Sequence, residues 1–310
     1  MFKSYQRPLI SKIHLSDKDA GTSQKQKSEK QKKSTDERSA KSIASMIMGR
    51  DVDDPNNPIA VTVDAETLVA QTQERLSRAL KRRYQYESNL KPGQEFLLNH
   101  INSKIPLVIM YADLVGSTNM SMTLPIEKAV TIIRSFSYEM SSIVQSYAGY
   151  VLKYVGDAVI AFFPSGYNKL LACDKAVRCA KSMITVIKNG INPILNQYDY
   201  PELRVKIGIA EGESLIVPYG HDKSSTIDIL GYSMSISAKI TSLTVPNTIT
   251  IGDNVYSVLH PQIRMKFEEV KLRIQDWKYI NRQTGQLYKL YADKNISTDT
   301  VRMDNEPQNS

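Results

Sequence analysis

Cysteine is scarce in this sequence: two residues in 310, Cys173 and Cys179. They stand six apart in a segment that reads as a helix, and at about 100° per residue that spacing puts them on different faces. No disulfide is expected between them, and a metal site would need more ligands. Both read as buried thiols, and so little cysteine fits a reducing, cytoplasmic setting. Long apolar runs are missing too. No stretch of about 18 apolar residues occurs, so no membrane span is expected. Met1–Ile10 has no apolar core of the kind a secretory signal carries. Nor is any internal repeat visible.

Acidic charge is the minority sign, with a formal net charge of +8. The surplus is local. Residues 1–41 hold eleven Lys/Arg against five Asp/Glu, which leaves only +2 for the rest of the chain. A near-neutral globular part argues against nucleic acid as a partner. Gly21–Ser42 has almost no large apolar residue, so residues 1–60 read as a disordered basic tail. Ile43–Met48 is a short apolar patch within it, and Asp53–Pro58 is a Pro/Asn-rich breaker. At the other end, residues 293–310 read as a polar tail.

What is present is a globular composition, 41% hydrophobic and 23% charged. Residues 61–104 read as a helical linker. Asp64 suits an N-cap, and a 4-3 spacing runs through Ala65, Val69, Thr72, Leu76, Ala79, Arg83, Tyr86 and Leu90. Two readings stay open: a coiled-coil seam, or an amphipathic helix lying on its own domain. Lys91-Pro92-Gly93 is expected to end that helix. Residues 105–292 then alternate strands and helices. Strands are expected at Pro106–Ala112, Gly149–Val155, Ala158–Phe163, Arg204–Ala210, Ser214–Val217 (after a turn at Gly212), Ile249–Ile251, Ile263–Ile274 and Leu287–Tyr291. Helices are expected from Pro125 to Tyr147, over Asn168–Lys188 with Asn168 as cap, and over Gly231–Leu243. The opening order β-α-β-β-α-β is ferredoxin-like, which makes the fold class α+β with helices over one face of a mostly antiparallel sheet.

Two strings carry chemistry. In Tyr111-Ala-Asp113-Leu-Val-Gly116-Ser117-Thr118, an Asp ends an apolar strand and a small-residue turn follows. The carboxylate can reach a metal, and the turn's N–H groups can hold phosphate oxygens. In Gly149-Tyr-Val-Leu-Lys153-Tyr-Val-Gly156-Asp157, the last Asp sits in a hairpin turn. A ferredoxin-like sheet lays that hairpin beside the first strand, where Asp113 and Asp157 can share one site. Mg²⁺ favours such a site, with one or two carboxylates plus substrate phosphates.

Together these strings resemble the class III adenylate/guanylate cyclase catalytic domain, over about Ile105–Ala292. Gly208-Ile-Ala-Glu-Gly212 and Asp228-Ile-Leu-Gly231 resemble two further segments of that family. The resemblance implies that Asp113, Asp157 and the backbone of Leu114 bind two divalent cations, Mg²⁺ or Mn²⁺. It implies that Gly116, Ser117 and Thr118 hold phosphate. It implies that Lys153 and Asp228 read the base. A lysine donates to adenine N1 and a carboxylate accepts from the 6-amino group. Guanine presents the opposite pattern, so the pair favours ATP. It implies a homodimer whose sites are composite, each taking its metal aspartates from one chain and its base readers from the other. The activity implied is conversion of ATP to 3′,5′-cyclic AMP and pyrophosphate, in intracellular signalling. His221 and the other histidines match no motif position and read as surface residues.

Two positions depart from the family pattern. Ser235 stands where Asn orients the ribose, and Lys239 stands where Arg stabilises charge at the α-phosphate. Lys keeps the charge without the planar fork. The competing readings are therefore a catalytically weak nucleotide-binding homologue with a regulatory role, and a cyclase for another nucleoside triphosphate. A polymerase-like enzyme shares the two-carboxylate plan, but the Lys153/Asp228 pair argues against it.

Overall fold

Asp64 opens the first helix by capping it. Its carboxylate accepts from the N–H groups of Glu66 and Thr67 at 3.2 and 3.0 Å and from Thr67 Oγ1 at 2.8 Å. This computed structural model describes residues 64–82, 89–220, 226–272, 277–281 and 284–294, all in one unit spanning Thr62–Ser310. The basic tail, Arg83, Tyr86 and His221 lie outside the described residues, as does almost all of the C-terminal tail. The elements run α1 (Ala65–Arg82), α2 (Lys91–Leu98), β1 (Lys104–Leu114), α3 (Ser117–Thr123), α4 (Ile126–Ser146), β2 (Tyr150–Val155), β3 (Ala158–Pro164) and α5 (Lys169–Val186). A π turn (Ile187–Ile191) leads to α6 (Asn192–Asn196), β4 (Val205–Tyr219), β5 (Thr226–Leu230), α7 (Tyr232–Leu243) and β6 (Thr248–Gly252). The last elements are α8 (Asp253–Tyr256), α9 (Pro261–Arg264), β7 (Phe267–Glu269) and β8 (Leu290–Asp293). Among the described residues, no helix is long and apolar enough to cross a membrane.

Leu68, Thr72, Leu76 and Ala79 of α1 are buried, a single stripe at helical spacing. The stripe packs on the chain's own α4, α5 and π turn. A charged clasp fixes the register. Glu139 of α4 is fully buried; its Oε2 accepts from Thr72 Oγ1 at 2.8 Å and from Arg75 Nη2 at 2.6 Å, and Oε1 accepts from Arg75 Nε at 3.2 Å.

The eight-stranded sheet has the order β2-β3-β1-β4-β6-β8-β7, with β5 added on β4. β4 and β6 are parallel and every other pairing is antiparallel. The first four strands and their crossovers follow the ferredoxin-like plan. Asn168 caps α5 as expected, accepting from Leu171 N–H at 2.9 Å. Cys173 and Cys179 are both buried and unbridged within α5.

Several expectations need correction. Helices cover both faces of the sheet. β1 is apolar on both sides, and a strand like that must be covered twice. Val108, Met110, Ala112 and Leu114 pack with α1, α4 and α5, while Leu107 and Ile109 pack with Leu97 of α2 and Met234 of α7. Lys91-Pro92-Gly93 starts a helix rather than ending one: Pro92 lies in the first turn of α2, where its missing N–H costs nothing. The two strands expected around Gly212 are one continuous strand, because β1 pairs with β4 from Lys104↔Leu215 to Leu114↔Val205, straight through Leu107↔Gly212. The long strand expected at Ile263–Ile274 is confined to β7 and preceded by α9, with residues 273–276 outside the described set.

Candidate active site

The alternation of β1 sorts the site. Leu107, Ile109, Tyr111 and Asp113 share one face, two residues apart along the strand. Asp113 is the penultimate residue, just past the apolar cover. The strand then breaks at Gly116, whose φ of +77° belongs to the left-handed region that glycine occupies at no steric cost. Ser117 and Thr118 follow as the first residues of the short helix α3 instead of lying in a plain loop. A cleft of about 660 Å³ opens beside this turn, lined in part by Gly116, Asn119, Tyr200 and Arg204.

Asp157 comes from the β2–β3 hairpin, whose turn rests on Gly156 at φ +61°. The register Ala112↔Val159 brings Asp157 to the end of β1, so the structure unites the two predicted aspartates. Burial and then the charge of Asp157 raise the Asp113 carboxyl above its ordinary value, with Lys206 opposing. Lys206 is the cross-strand partner of Asp113 on β4. Asp157 Oδ2 is buried with no hydrogen-bond partner among the described residues. A buried carboxylate oxygen with no donor costs about 1–3 kcal/mol, and a divalent cation is the group that suits it. No cluster of three or more His, Cys, Asp or Glu occurs among the described residues. Two carboxylates plus phosphate oxygens is a donor set that Mg²⁺ accepts. Leu114 has its hydrocarbon side chain in the core and can serve such an ion only through its backbone carbonyl, since leucine has no other donor atom.

The base-reading candidates meet on the same face. Lys153 Nζ and Asp228 form an ion pair, although their strands β2 and β5 are not neighbours in the sheet. A β-bulge helps. The register steps from Val151↔Ala161 to Lys153↔Ile160, so Leu152 is the extra residue. It packs in the same cluster as Ile160, which turns Leu152 and Lys153 to one face. Asp228 also accepts from the N–H of Ile229 at 2.8 Å. Tyr111 feels the pair's charge: burial and then Asp228 raise its pKa, while its hydroxyl donates to Met234 Sδ at 3.3 Å. Ser235 and Lys239 lie one turn apart on α7, both exposed and joined to neither pair.

Sequence reading missed two residues, Lys206 and Tyr111. Strand alternation held a signal for both. Tyr111 shares the parity of Asp113, and Lys206 shares that of Gly208, the residue opposite Tyr111.

The sequence matches the adenylate and guanylate cyclase catalytic domain family over residues 101–285, more than half of the chain. The chain belongs to this family. Among curated relatives, a cytidylate cyclase of Escherichia coli is 28% identical over 48% of this chain and 34% of its own length. A uridylate cyclase of Burkholderia cepacia is 28% identical over 54% of this chain and 71% of its own. The chain thus matches about a third of the first relative's length. Among solved structures, the adenylyl cyclase CyaB from P. aeruginosa shares the fold of this cyclase domain with a TM-score of 0.53. It is 21% identical, over 64% of this chain and 97% of that one.

Proposed function

We propose that this cyclase domain converts a nucleoside triphosphate whose base carries an amino group beside an acceptor ring nitrogen, ATP in the first reading, into its 3′,5′-cyclic monophosphate and pyrophosphate. The observation that carries the reading is one sheet face holding two separate devices. One is the Asp113/Asp157 carboxyl pair with an orphaned oxygen; the other is the Lys153–Asp228 pair. In the reaction, the 3′-oxygen bonds to the α-phosphorus, the bond to the departing pyrophosphate breaks, and the hydroxyl proton leaves to solvent. Asp113 and Asp157, with the Leu114 carbonyl, would hold Mg²⁺ or Mn²⁺. Bound there, the ions would neutralise the triphosphate and activate the 3′-hydroxyl. Lys206 adds a positive charge beside Asp113 that attracts the same phosphates. Gly116, Ser117 and Thr118 present backbone N–H groups at the turn. Ser235 and Lys239 would act on the ribose and the α-phosphate, with Lys239 supplying charge without Arg's fork.

The sites are proposed to be composite, formed head to tail by two copies of this chain. The exposed Ser235 and Lys239 are then offered to the partner's metal pair.

A second reading is CTP as substrate. Cytosine presents an acceptor ring nitrogen beside an amino group, the same edge as adenine, so Lys153 and Asp228 suit both. The cytidylate cyclase relatives support it. Purified chain with each of the four triphosphates and Mg²⁺ or Mn²⁺, with products identified by mass spectrometry, tests both readings. Cyclic AMP or cyclic CMP is expected, abolished by Asp157→Ala. Cyclic GMP or cyclic UMP alone would overturn the assignment of Lys153 and Asp228. Binding without turnover would make the chain a nucleotide-binding homologue.

A further inference from the structure

Helix α2 precedes every motif of the site, yet two consecutive residues in it touch both strands that carry the base-reading pair. Gly93 lies against β2 at the bulge. A Cβ there would stand 2.5 Å from the carbonyl oxygen of Val151, so only glycine permits the approach. Gln94 lies against β5. Its Nε2 donates to the carbonyl of Ile227 at 3.1 Å, and its Oε1 accepts from the N–H of Ile227 at 3.2 Å. Val151 is two residues from Lys153, and Ile227 is the residue before Asp228.

The bonds to Ile227 have a structural reason. Among the described residues, β5 pairs with one strand, β4, which leaves its other edge open. Ile216 turns its own N–H and C=O away from β5, to Ser103 and Asn102, so Pro218↔Ile227, two residues along, is a non-hydrogen-bonded pair in which the N–H and C=O of Ile227 point away from β4. The backbone donor and acceptor of Ile227 therefore need a partner elsewhere, and an unpaired backbone group in a half-buried place is costly. One primary amide meets both needs and acts as a strand neighbour one residue long. Leu97 anchors the helix between, packed with Leu107, Ile109 and Phe162.

We infer that Gln94 is a positioning residue that sets Asp228 against Lys153, with Gly93-Gln94 acting as a bracket across the sheet face between β2 and β5. This rests on the proposed reading of Lys153 and Asp228 as the base readers. By holding the backbone next to Asp228, Gln94 fixes where the carboxylate meets the base. Its loss lets β5 move and blurs the choice between an edge with an amino group and an acceptor ring nitrogen (adenine, cytosine) and an edge with a carbonyl and a ring N–H (guanine, uracil).

The test uses the full chain as wild type, Gln94→Ala and Gln94→Met; the Met variant keeps the bulk without polar atoms, and Gln73→Ala serves as a control amide. The first readout is kcat and KM for all four triphosphates with Mn²⁺. The preference for ATP and CTP over GTP and UTP is expected to fall by about tenfold in both Gln94 variants, chiefly through KM, with kcat within about threefold of wild type. The second readout needs no nucleotide: the acetylation rate of Lys153 by an N-hydroxysuccinimide ester, read by peptide mass spectrometry. It is expected to rise severalfold in the Gln94 variants, as in Asp228→Asn, and to stay put in Gln73→Ala. Unchanged Lys153 labelling in a folded Gln94 variant overturns the inference. So does a lowered melting temperature with base preference intact, which would make Gln94 a purely structural residue. Should Gln94→Ala fail to fold, Gln94→Met carries the comparison. A wild type that cyclises no triphosphate defeats the functional reading, while the labelling arm still decides the role of Gln94.

Discussion

Asp113 is held in a conflict of charges. Burial and Asp157 push its carboxyl above the ordinary value of 3.8, while Lys206 pulls the other way. An acid whose folded-state pKa is raised favours folding most below the unfolded value, and that contribution is lost as pH rises through the folded value. Asp113→Asn cannot ionise and escapes that loss. At neutral pH the variant should therefore be more stable than wild type. The gap should close as pH falls through Asp113's raised value and be gone below 3.8. Chemical denaturation across pH checks this. Mn²⁺ should raise the melting temperature of wild type but not of the variant, since the ion replaces the repulsion between the aspartates with attraction. A wild type more stable than Asp113→Asn at pH 7 without metal would refute the account.

Among the elements, α1 is fastened by charge as well as by its apolar stripe. Arg75→Ala leaves the buried carboxylate of Glu139 with Thr72 as its remaining partner from α1. Removing one member of a buried pair costs about 3–5 kcal/mol, but Arg75 is 26% exposed, so about 2–3 kcal/mol is expected in urea denaturation. A loss under half a kcal/mol would show the clasp to be idle. The same helix shows what a sequence reveals. Asp64 as cap, the buried positions Thr72, Leu76 and Ala79 of the expected 4-3 series, the capped α5 and the β2–β3 hairpin all follow from local chemistry, and the aspartates at strand end and turn were legible with them; Leu68, not Val69, completes the buried stripe. Three of the elements that were not legible show why. Pro92 and Gly93 read as a stop because their purpose lies elsewhere: Gly93 answers to the carbonyl of Val151, far along the chain. Gly212 read as a break because nothing local says that β1 will pair along the whole of β4. β5 was missed because it is five residues long, carries Asp228 in its middle, and is held by β4 and Gln94. In each case a long-range partner overrides the local signal.

At the scale of the whole molecule, the site face carries the Asp113/Asp157 carboxyl pair and the Lys153–Asp228 ion pair as separate clusters. Lys153 and Asp157 are four residues apart on one hairpin, yet a head-to-tail dimer assigns them to different sites. Lys153→Ala and Asp157→Ala proteins should each be nearly inactive. Mixed, they form heterodimers in which one site carries both defects and the other none. Activity should return to about a quarter of wild type if subunits exchange freely and pair by symmetry. Heterodimers confirmed by tagging but without activity would exclude composite sites of this kind.

The two thiols of α5 have a consequence of a different order. Both are fully buried, and burial pushes Cys173 up to about 12 and Cys179 higher still. Thiolate is the reactive form, so the native fold keeps both sulfurs silent. They sit in the main core beneath the sheet, where only an opening of that core can expose them. The chain thus carries a built-in clock. The rate at which a disulfide reagent consumes its thiols counts openings of the core, and a ligand that holds the core shut slows the count by the amount it stabilises.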